Sequence, residues 1–306
     1  EKFTRNEKYI LDQYSLNGGS QFWMLEGLNI DLKSLFNTKE KTYGFPRDLN
    51  LDDYFFNYGI KIQKKILQDL YNAPIVLASG SKENTQYIPY PWPYYPVSKP
   101  EISSHIGKDL GPVITKFVSP IDTISNNLLK KPILKSSKFT KSTSAAKLIS
   151  LELAGQKIQP SSFNEPDKIL GITIEGKTAS LFKNRIKPIN LKNSKENGPV
   201  KIIIFGDGNL AENQTDKGIP LSLGYDKWTN NFYSNKSLIM NGIHYLTENN
   251  DRLFLRKKTW QVAFLDEQKI IKNIAIWKIG LLLFPFLLGL GIGWINLRIR
   301  SKQLLA

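Results

Sequence analysis

The strand-like run Val200–Phe205 leads directly into Gly206-Asp207-Gly208-Asn209, which is the strongest candidate site in the sequence. A short run of apolar, β-branched residues is typical of a strand buried in a sheet. Ligands of doubly wound sheets bind beyond the carboxyl ends of the strands, where Asp207 and Asn209 would lie. Glycines on both sides of an aspartate are also typical of a turn, in which the carboxylate bonds nearby main-chain N–H groups. We favour the turn, and catalysis by Asp207 is the alternative.

A second candidate is the segment Gln86–Val97, which carries four prolines among its aromatic residues. Prolines at this density exclude a helix and favour an extended chain. Trp92 and Tyr94 could then form a recognition surface for a sugar polymer or a protein partner. Alternatively, these aromatic side chains pack onto the protein's own sheet, because buried aromatics commonly serve packing. We favour packing, and a cell-wall-binding module with exposed aromatics is the alternative.

The sequence lacks the residues and motifs that several kinds of catalysis require. The cysteine count is zero, which excludes thiolate nucleophiles, disulfides and Cys-ligated metals. There are only two histidines, and no nucleophile elbow, His-Glu-x-x-His or phosphate-binding Walker loop is present. We therefore predict a protein that is not an enzyme and has no cofactor. The alternative is a cell-envelope enzyme that acts on glycans or phosphates through Asp207 and neighbouring carboxylates.

Alternating helix and strand signals predict the elements that would position these residues. Thr4-x-x-Glu7 is a capping box, and Asn17-Gly18-Gly19 is a stop that leads into a strand. Helix, double glycine and strand together form half of a doubly wound unit, so we predict an α/β, doubly wound fold whose opening strands precede Glu1. Further predicted elements are a mostly helical Leu51–Leu70, a strand Ile75–Ala78, an exposed loop Ser136–Ser144, a helix Asn235–Thr247 capped near Ser234 or Asn235, and late strands Leu253–Leu255 and Val262–Leu265.

The segment Ile279–Leu297 predicts a transmembrane helix. Its nineteen residues carry no charge and would reach roughly 28 Å, close to the thickness of one hydrocarbon core. The predicted interface residues Trp277, Trp294, Arg298 and Arg300 lie near its two ends. The short basic tail favours a cytoplasmic C-terminus, so the bulk of the chain would be extracytoplasmic.

Three residues inside this segment predict how it packs. Gly289 and Gly293 are four positions apart, a spacing that lets a second membrane helix approach closely. Pro285 removes a main-chain donor, which favours contact with protein rather than lipid at that level. The alternative is that glycine and proline are simply common in membrane helices.

The net charge of +15 predicts an anionic neighbour, which could be nucleic acid, lipid headgroups or an acidic cell-wall polymer. Proximity to membrane lipid headgroups, together with solubility, is the simplest account. No nucleic-acid-binding motif is visible, and an extracytoplasmic domain would not meet DNA. We therefore predict contact with membrane lipid and no nucleic-acid partner.

Short pieces spread along the chain, each weak alone, together resemble in order the GldG-type auxiliary, substrate-binding-like proteins of gliding-motility ABC transporters. The pieces are Glu7–Gly19, Leu49–Asp53, Asp69–Pro74, Pro91–Pro96, Ile121–Ile124, Phe205–Asn209, Leu223–Asp226 and Asn235-Lys236, followed by the apolar segment near the end. The resemblance implies a non-catalytic subunit that works with ABC permease and ATPase subunits, and with other gliding or cell-envelope proteins. It supplies no catalytic residues to carry over.

The resemblance also implies a glutamine-amidotransferase-like periplasmic domain held at the inner (cytoplasmic) membrane. Since an amidotransferase needs a cysteine nucleophile, only the fold could survive here. The domain organisation predicted in this way has four parts: a periplasmic α/β domain over 1–265, a juxtamembrane stalk over 266–276, a transmembrane helix over 277–297 and a cytoplasmic basic tail over 298–306.

Overall fold

The computed structural model describes residues 1–36, 40–80, 84–247 and 274–303. The chain divides into two compact units, Glu1–Lys258 and Thr259–Ala306. The predicted late strands Leu253–Leu255 and Val262–Leu265 lie outside the described residues. The same holds for 266–273 of the predicted stalk and for 304–306 of the predicted tail.

The described residues form five α-helices and two short 3-10 helices. The α-helices are α1 Arg5–Leu16, α2 Leu32–Leu35, α3 Asp52–Asn57, α4 Asn235–Leu246 and α5 Ile274–Gln303, and the 3-10 helices are Leu151–Gly155 and Pro160–Ser162.

Most of the regular structure of the first unit is β-strand. In chain order the strands are β1 Ser20–Met24, β2 Leu28–Asn29, β3 Lys41–Tyr43, β4 Phe45–Pro46, β5 Ile60–Ile62, β6 Lys65–Asp69, β7 Asn72–Ser79, β8 Gln86–Ser98, β9 Val113–Ile114, β10 Ile121–Thr123, β11 Leu129–Lys135, β12 Thr140–Ser144, β13 Leu148–Ser150, β14 Ile169–Ala179, β15 Asn197–Phe205, β16 Thr215–Asp216, β17 Ile219–Pro220, β18 Tyr225–Asp226 and β19 Asn231–Phe232.

Helix α1 begins and ends where the sequence predicts. The side chain of Thr4 accepts the main-chain N–H of Glu7, and the side chain of Glu7 accepts the N–H of Thr4, which completes the capping box. Asn17 is the C-cap, and Gly18 adopts a left-handed φ of 97° that turns the chain into β1. Local side-chain chemistry alone therefore fixes both ends of this helix.

The central sheet has six strands in the order β1-β15-β14-β10-β5, with β11 also paired to β14. Strand β15 runs parallel to β1, and every other neighbouring pair in this sheet is antiparallel. Successive residues of β15 are buried on opposite faces. Ile202 and Ile204 pack in the cluster that includes residues of α1 and α3, whereas Ile203 and Phe205 pack in the cluster that includes Leu238 of α4.

The observed class is therefore mixed α/β with several sheets and few helices, and the doubly wound arrangement is not what the described residues show. Parallel neighbours need a crossover, usually a helix, whereas antiparallel neighbours do not. The predicted helical stretch Leu51–Leu70 supplies no crossover, because α3 ends at Asn57 and Gly59 follows with a φ of +73°. Strands β5 and β6 take the remainder of that stretch. The glutamine-amidotransferase-like relationship stays a prediction.

A second, strand-rich part of the first unit contains the proline segment. Strands β7, β8 and β9 form a three-stranded sheet in that order. The predicted loop Ser136–Ser144 is partly wrong, because Thr140–Ser144 pairs with β6 as β12. Buried aromatics join these layers into a third core cluster.

Helix α4 matches its predicted span to within one residue, and its N-cap is one of the two residues that the sequence predicts. Ser234 is the N-cap without a side-chain hydrogen bond. The side chain of Asn235 instead bonds β9, where it accepts the N–H of Ile114 at 3.1 Å and donates to the Ile114 carbonyl at 2.8 Å. This asparagine therefore ties the helix to a strand.

Candidate functional site

Asp207 lies at the end of β15 and is buried, with 1% of its surface exposed. Its Oδ1 accepts the N–H of Asn209 at 2.7 Å, and its Oδ2 accepts the N–H of Lys116 at 2.8 Å. The first bond is the turn bond that the flanking glycines predict. The second bond ties the turn to the segment that follows β9. Both carboxylate oxygens are therefore bound to the protein's own main chain.

The position of this turn is fixed by a close approach at Gly206. A Cβ atom at Gly206 would lie 1.9 Å from the carbonyl oxygen of Ser119. The N–H of Ser119 donates to the Gly206 carbonyl at 2.7 Å. Only glycine therefore allows the two segments to pack at this distance.

A second acid lies beside the turn. The side-chain amide of Asn209 donates to Oε1 of Glu26 at 2.7 Å, and Arg47 lies 3.4 Å from Oε2 of Glu26. Burial raises the pKa of Glu26, an effect that the charge of Arg47 opposes. The predicted candidate Asn209 thus links Glu26 to the Asp207 turn.

Burial also raises the pKa of Asp207 to about 7. The two main-chain N–H donors oppose this rise, and the negative charge of Glu26 adds to it. An enzyme of the predicted alternative type would place Asp207 beside a second acid in an open cleft. Glu26 meets the first condition, but the burial of Asp207 does not meet the second. Within 1–36, 40–80, 84–247 and 274–303, no group of three or more His, Asp or Glu side chains could hold a metal ion.

Trp92 and Tyr94 lie on β8 but are core residues, 0% and 3% exposed. Their rings are 5.1 Å apart, and Tyr94 stacks on Phe117 at 5.7 Å. The proline segment is extended, as the sequence predicts. The cell-wall-binding alternative required these rings to be exposed in a row, so it loses its support.

Next to this core, a groove of about 550 Å³ lies along β7. Pro74, Ile75, Val76 and Ala78 of β7 line one side, and the segment 212–228 lines the other. Among the described residues, this groove is a candidate binding site.

Two exposed aromatic side chains line the groove. Tyr87 and Trp228 are 59% and 51% exposed, and their ring centroids are 5.2 Å apart. Tyr95 lies deeper, where burial raises the pKa of its hydroxyl and the negative charges of Glu212 and Asp226 add to the rise. Tyr95 therefore stays a neutral hydroxyl in the groove wall.

The polar side chains of the groove mostly bond to the protein itself. Gln214 donates to Asp226 at 3.0 Å and accepts the N–H of Lys227 at 2.9 Å. Asn213 donates to the carbonyl of Leu221. These bonds hold the segment 212–228 in shape and leave few side-chain groups for a ligand.

Sequence reasoning did not single out the groove. Tyr87 belongs to the proline segment Gln86–Val97, which its sequence identifies as a candidate. Its position near the start of that segment, before the closely spaced prolines, is the only local sign that its side chain is exposed. Trp228 follows the piece Leu223–Asp226 but carries no pattern of its own. Its place depends on the contact with Tyr87, about 140 residues away in the chain.

The predicted membrane residues lie on or beside α5. Pro285 is inside the helix, and among the described residues no atom apart from the adjacent backbone of the helix itself lies within 4 Å of a Cβ built at Gly289 or Gly293. The guanidinium of Arg298 lies 4.5 Å from the ring centroid of Trp294.

Arg300 is an exposed residue of α5, and the side chain of Trp277 is outside the described residues. Over the residues that the structure describes, none of the helices combines the length and apolarity needed to cross a membrane. The predicted span is therefore not confirmed.

The fold and the Asp207 turn define an α/β protein whose best candidate carboxylate binds its own main chain. Residues 1–242 match the family described as an ABC-type uncharacterized transport system. Because this match covers more than half of the chain, the protein belongs to that family. No curated protein matches the chain. Membership indicates a component of an ABC transport system and is consistent with a non-enzymatic role.

Proposed function

We propose that this protein is a non-catalytic, membrane-anchored auxiliary subunit of a bacterial ABC transporter complex that serves gliding motility. The family match over residues 1–242 is the observation that carries the proposal. The ordered pieces that resemble gliding-motility auxiliary proteins support the narrower role. The permease and the ATPase of the complex would be its partners.

The Asp207 turn supports a role without catalysis. A general acid or base must reach the proton that it transfers, within hydrogen-bond distance of a substrate. Asp207 is buried, and its two oxygens accept main-chain N–H groups. Its carboxylate stabilises the junction between β15 and the segment after β9.

The anchor in this proposal is the uncharged segment Ile279–Leu297. Large apolar side chains of α5 such as Leu282, Phe286 and Leu297 are 76%, 73% and 69% exposed. Lipid is a surrounding that suits such exposed apolar side chains. The inner membrane would then hold the helix, with the first unit in the periplasm.

Purification from native membranes in mild detergent, followed by mass spectrometry, tests the proposal. We expect a permease and an ATPase to co-purify in constant ratio with the tagged chain. Residues 1–258 produced alone are the control, and this shortened chain should leave the membrane fraction. A tagged chain that purifies alone, or a shortened chain that stays in the membrane, would contradict the corresponding part of the proposal.

Labelling from the periplasmic side tests the orientation. Residues before about Trp277 should react, whereas a tag placed after Ala306 should not. Reaction of the tag from outside would reverse the predicted topology.

A further inference from the structure

Strand β7 is an edge strand of the sheet β7-β8-β9. On β8, Pro89 lies opposite Val76 and has no N–H to donate. Antiparallel pairs alternate between those that exchange main-chain hydrogen bonds and those that do not. The hydrogen-bonded pairs are therefore Ile75 with Tyr90 and Leu77 with Ile88.

This alternation points the main-chain groups of Val76 and Ala78 away from β8. Among the described residues, no hydrogen bond joins their outward N–H and C=O groups to another part of the protein. Both residues line the 550 Å³ groove. The groove thus runs along a row of main-chain donors and acceptors for which the described residues of the first unit supply no partner.

The hydrogen-bonding groups of the groove that have no partner among the described residues indicate which kind of ligand fits it. The amides and carboxylates of 213, 214 and 226 already bond within the segment 212–228. A sugar or another small polar ligand would need such side chains, whereas a main-chain ladder needs an extended peptide.

The charges at the groove decide the chemistry of that peptide. Lys116 lies 3.5 Å from Glu212, and Lys227 lies 3.5 Å from Asp216, so each lysine has a carboxylate partner. The strong positive charge of the chain as a whole, +15, is therefore not concentrated at this groove. With Tyr87 and Trp228 exposed beside it, the groove matches an uncharged, apolar segment.

We propose that an extended, uncharged and largely apolar segment of another subunit of the ABC complex adds to β7 as a strand. Its main chain pairs with Val76 and Ala78, and its inward side chains contact Tyr87 and Trp228. This inference rests on the proposed function, because the complex supplies the partner. Strand addition to an exposed edge gives affinity through the main chain and selectivity through alternate side chains.

Hydrogen exchange on the purified complex tests the pairing directly. The outward amides of Val76 and Ala78 should exchange at least about tenfold more slowly in the complex than in the isolated chain. The amides of Ile75 and Leu77, which bond β8 in both samples, are the internal control and should change little.

A matched pair of variants separates the main chain from the side chain. Ala78→Pro removes an outward N–H and fixes φ at a position that makes no hydrogen bond to β8, a change that edge strands tolerate. Ala78→Val keeps that N–H and adds a small apolar side chain. We expect partner recovery to fall at least about fivefold for Ala78→Pro and to persist for Ala78→Val, with circular dichroism showing that both variants are folded.

The outcomes distinguish this inference from the proposed function. A complex that co-purifies while amides 76 and 78 exchange freely leaves the function standing and overturns the strand addition. Equal loss of partner in both variants also overturns it. Protection in the isolated chain, together with a dimeric mass, would assign the edge to a second copy instead. If no complex co-purifies, the proposed function fails first and the inference falls with it.

Discussion

Replacing Asp207 by asparagine should change how the stability of the protein depends on pH. The pKa of this buried carboxyl is raised to about 7, against an ordinary value of 3.8. A raised carboxyl pKa means that the folded state binds a proton more tightly than the unfolded state. The associated stability is fully present below pH 3.8 and is lost as the pH rises through 7. Asparagine does not titrate, so the variant lacks this loss.

The two pKa values set the size of the effect. Each pH unit between them is worth about 1.4 kcal/mol of unfolding free energy. Between pH 5 and pH 7 the wild-type protein should therefore lose about 2 kcal/mol through this group. At pH 5 the protonated carboxyl still places an oxygen beside each of the two N–H groups, whereas asparagine turns an NH2 donor toward one of them, so the variant should be less stable by about 1 to 2 kcal/mol. Near pH 7 the two proteins should be close in stability.

Urea unfolding of the full chain in mild detergent, followed by tryptophan fluorescence at both pH values, measures this difference. The comparison cancels the titration of Glu26 and other groups common to both proteins. Asp216→Asn, at an exposed aspartate, is the control. Its unfolding free energy should differ from that of the wild type by nearly the same amount at pH 5 and at pH 7. A difference between wild type and Asp207→Asn that does not change with pH would refute the account of the buried carboxyl. Loss of a measured activity in a folded Asp207→Asn protein would favour the enzymatic alternative.

Three further changes test other features. Gly206→Ala places a methyl group against a main-chain carbonyl and should cost roughly 3 kcal/mol of unfolding free energy by urea titration, whereas Gly155→Ala, with open space around it, should cost little. Trp92→Ala should cost about 3 to 5 kcal/mol in the same assay because the ring is fully buried, and a loss below 1 kcal/mol would contradict its place in the core. Replacing Gly289 and Gly293 together by leucine should preserve membrane insertion while permease recovery falls, and undiminished recovery would show that the permease does not dock on these glycines.

Features fixed by neighbouring residues could be predicted from the sequence. The capping box of Thr4, the stop at Gly18 and the bond from Asn209 to Asp207 each span only a few positions. The apolar run before Gly206 also marks its own strand, because hydrophobic residues without polar alternation indicate burial on both faces.

Features that depend on distant partners could not be predicted in this way. The stretch Ser136–Ser144 is polar and looks like a loop, but part of it pairs with β6, about 75 positions earlier in the chain. The sequence favours packing for the aromatic rings of the proline segment, which is correct for Trp92, but strand pairing decides which ring of that segment is exposed. The groove along β7 joins segments that are more than 100 residues apart, so no local pattern marks it.

The parallel pairing of β1 with β15 has a consequence for how the chain folds. Ser20 lies beside Lys201, and Met24 lies beside Phe205, so about 180 residues separate the two partners. Contacts over such sequence distances form slowly, because closing so long a loop costs chain entropy before the contacts can stabilise it. During synthesis, the edge of β1 therefore stays open until about residue 205 has emerged. We expect shorter nascent chains to expose this apolar strand and to depend on chaperones until β15 arrives.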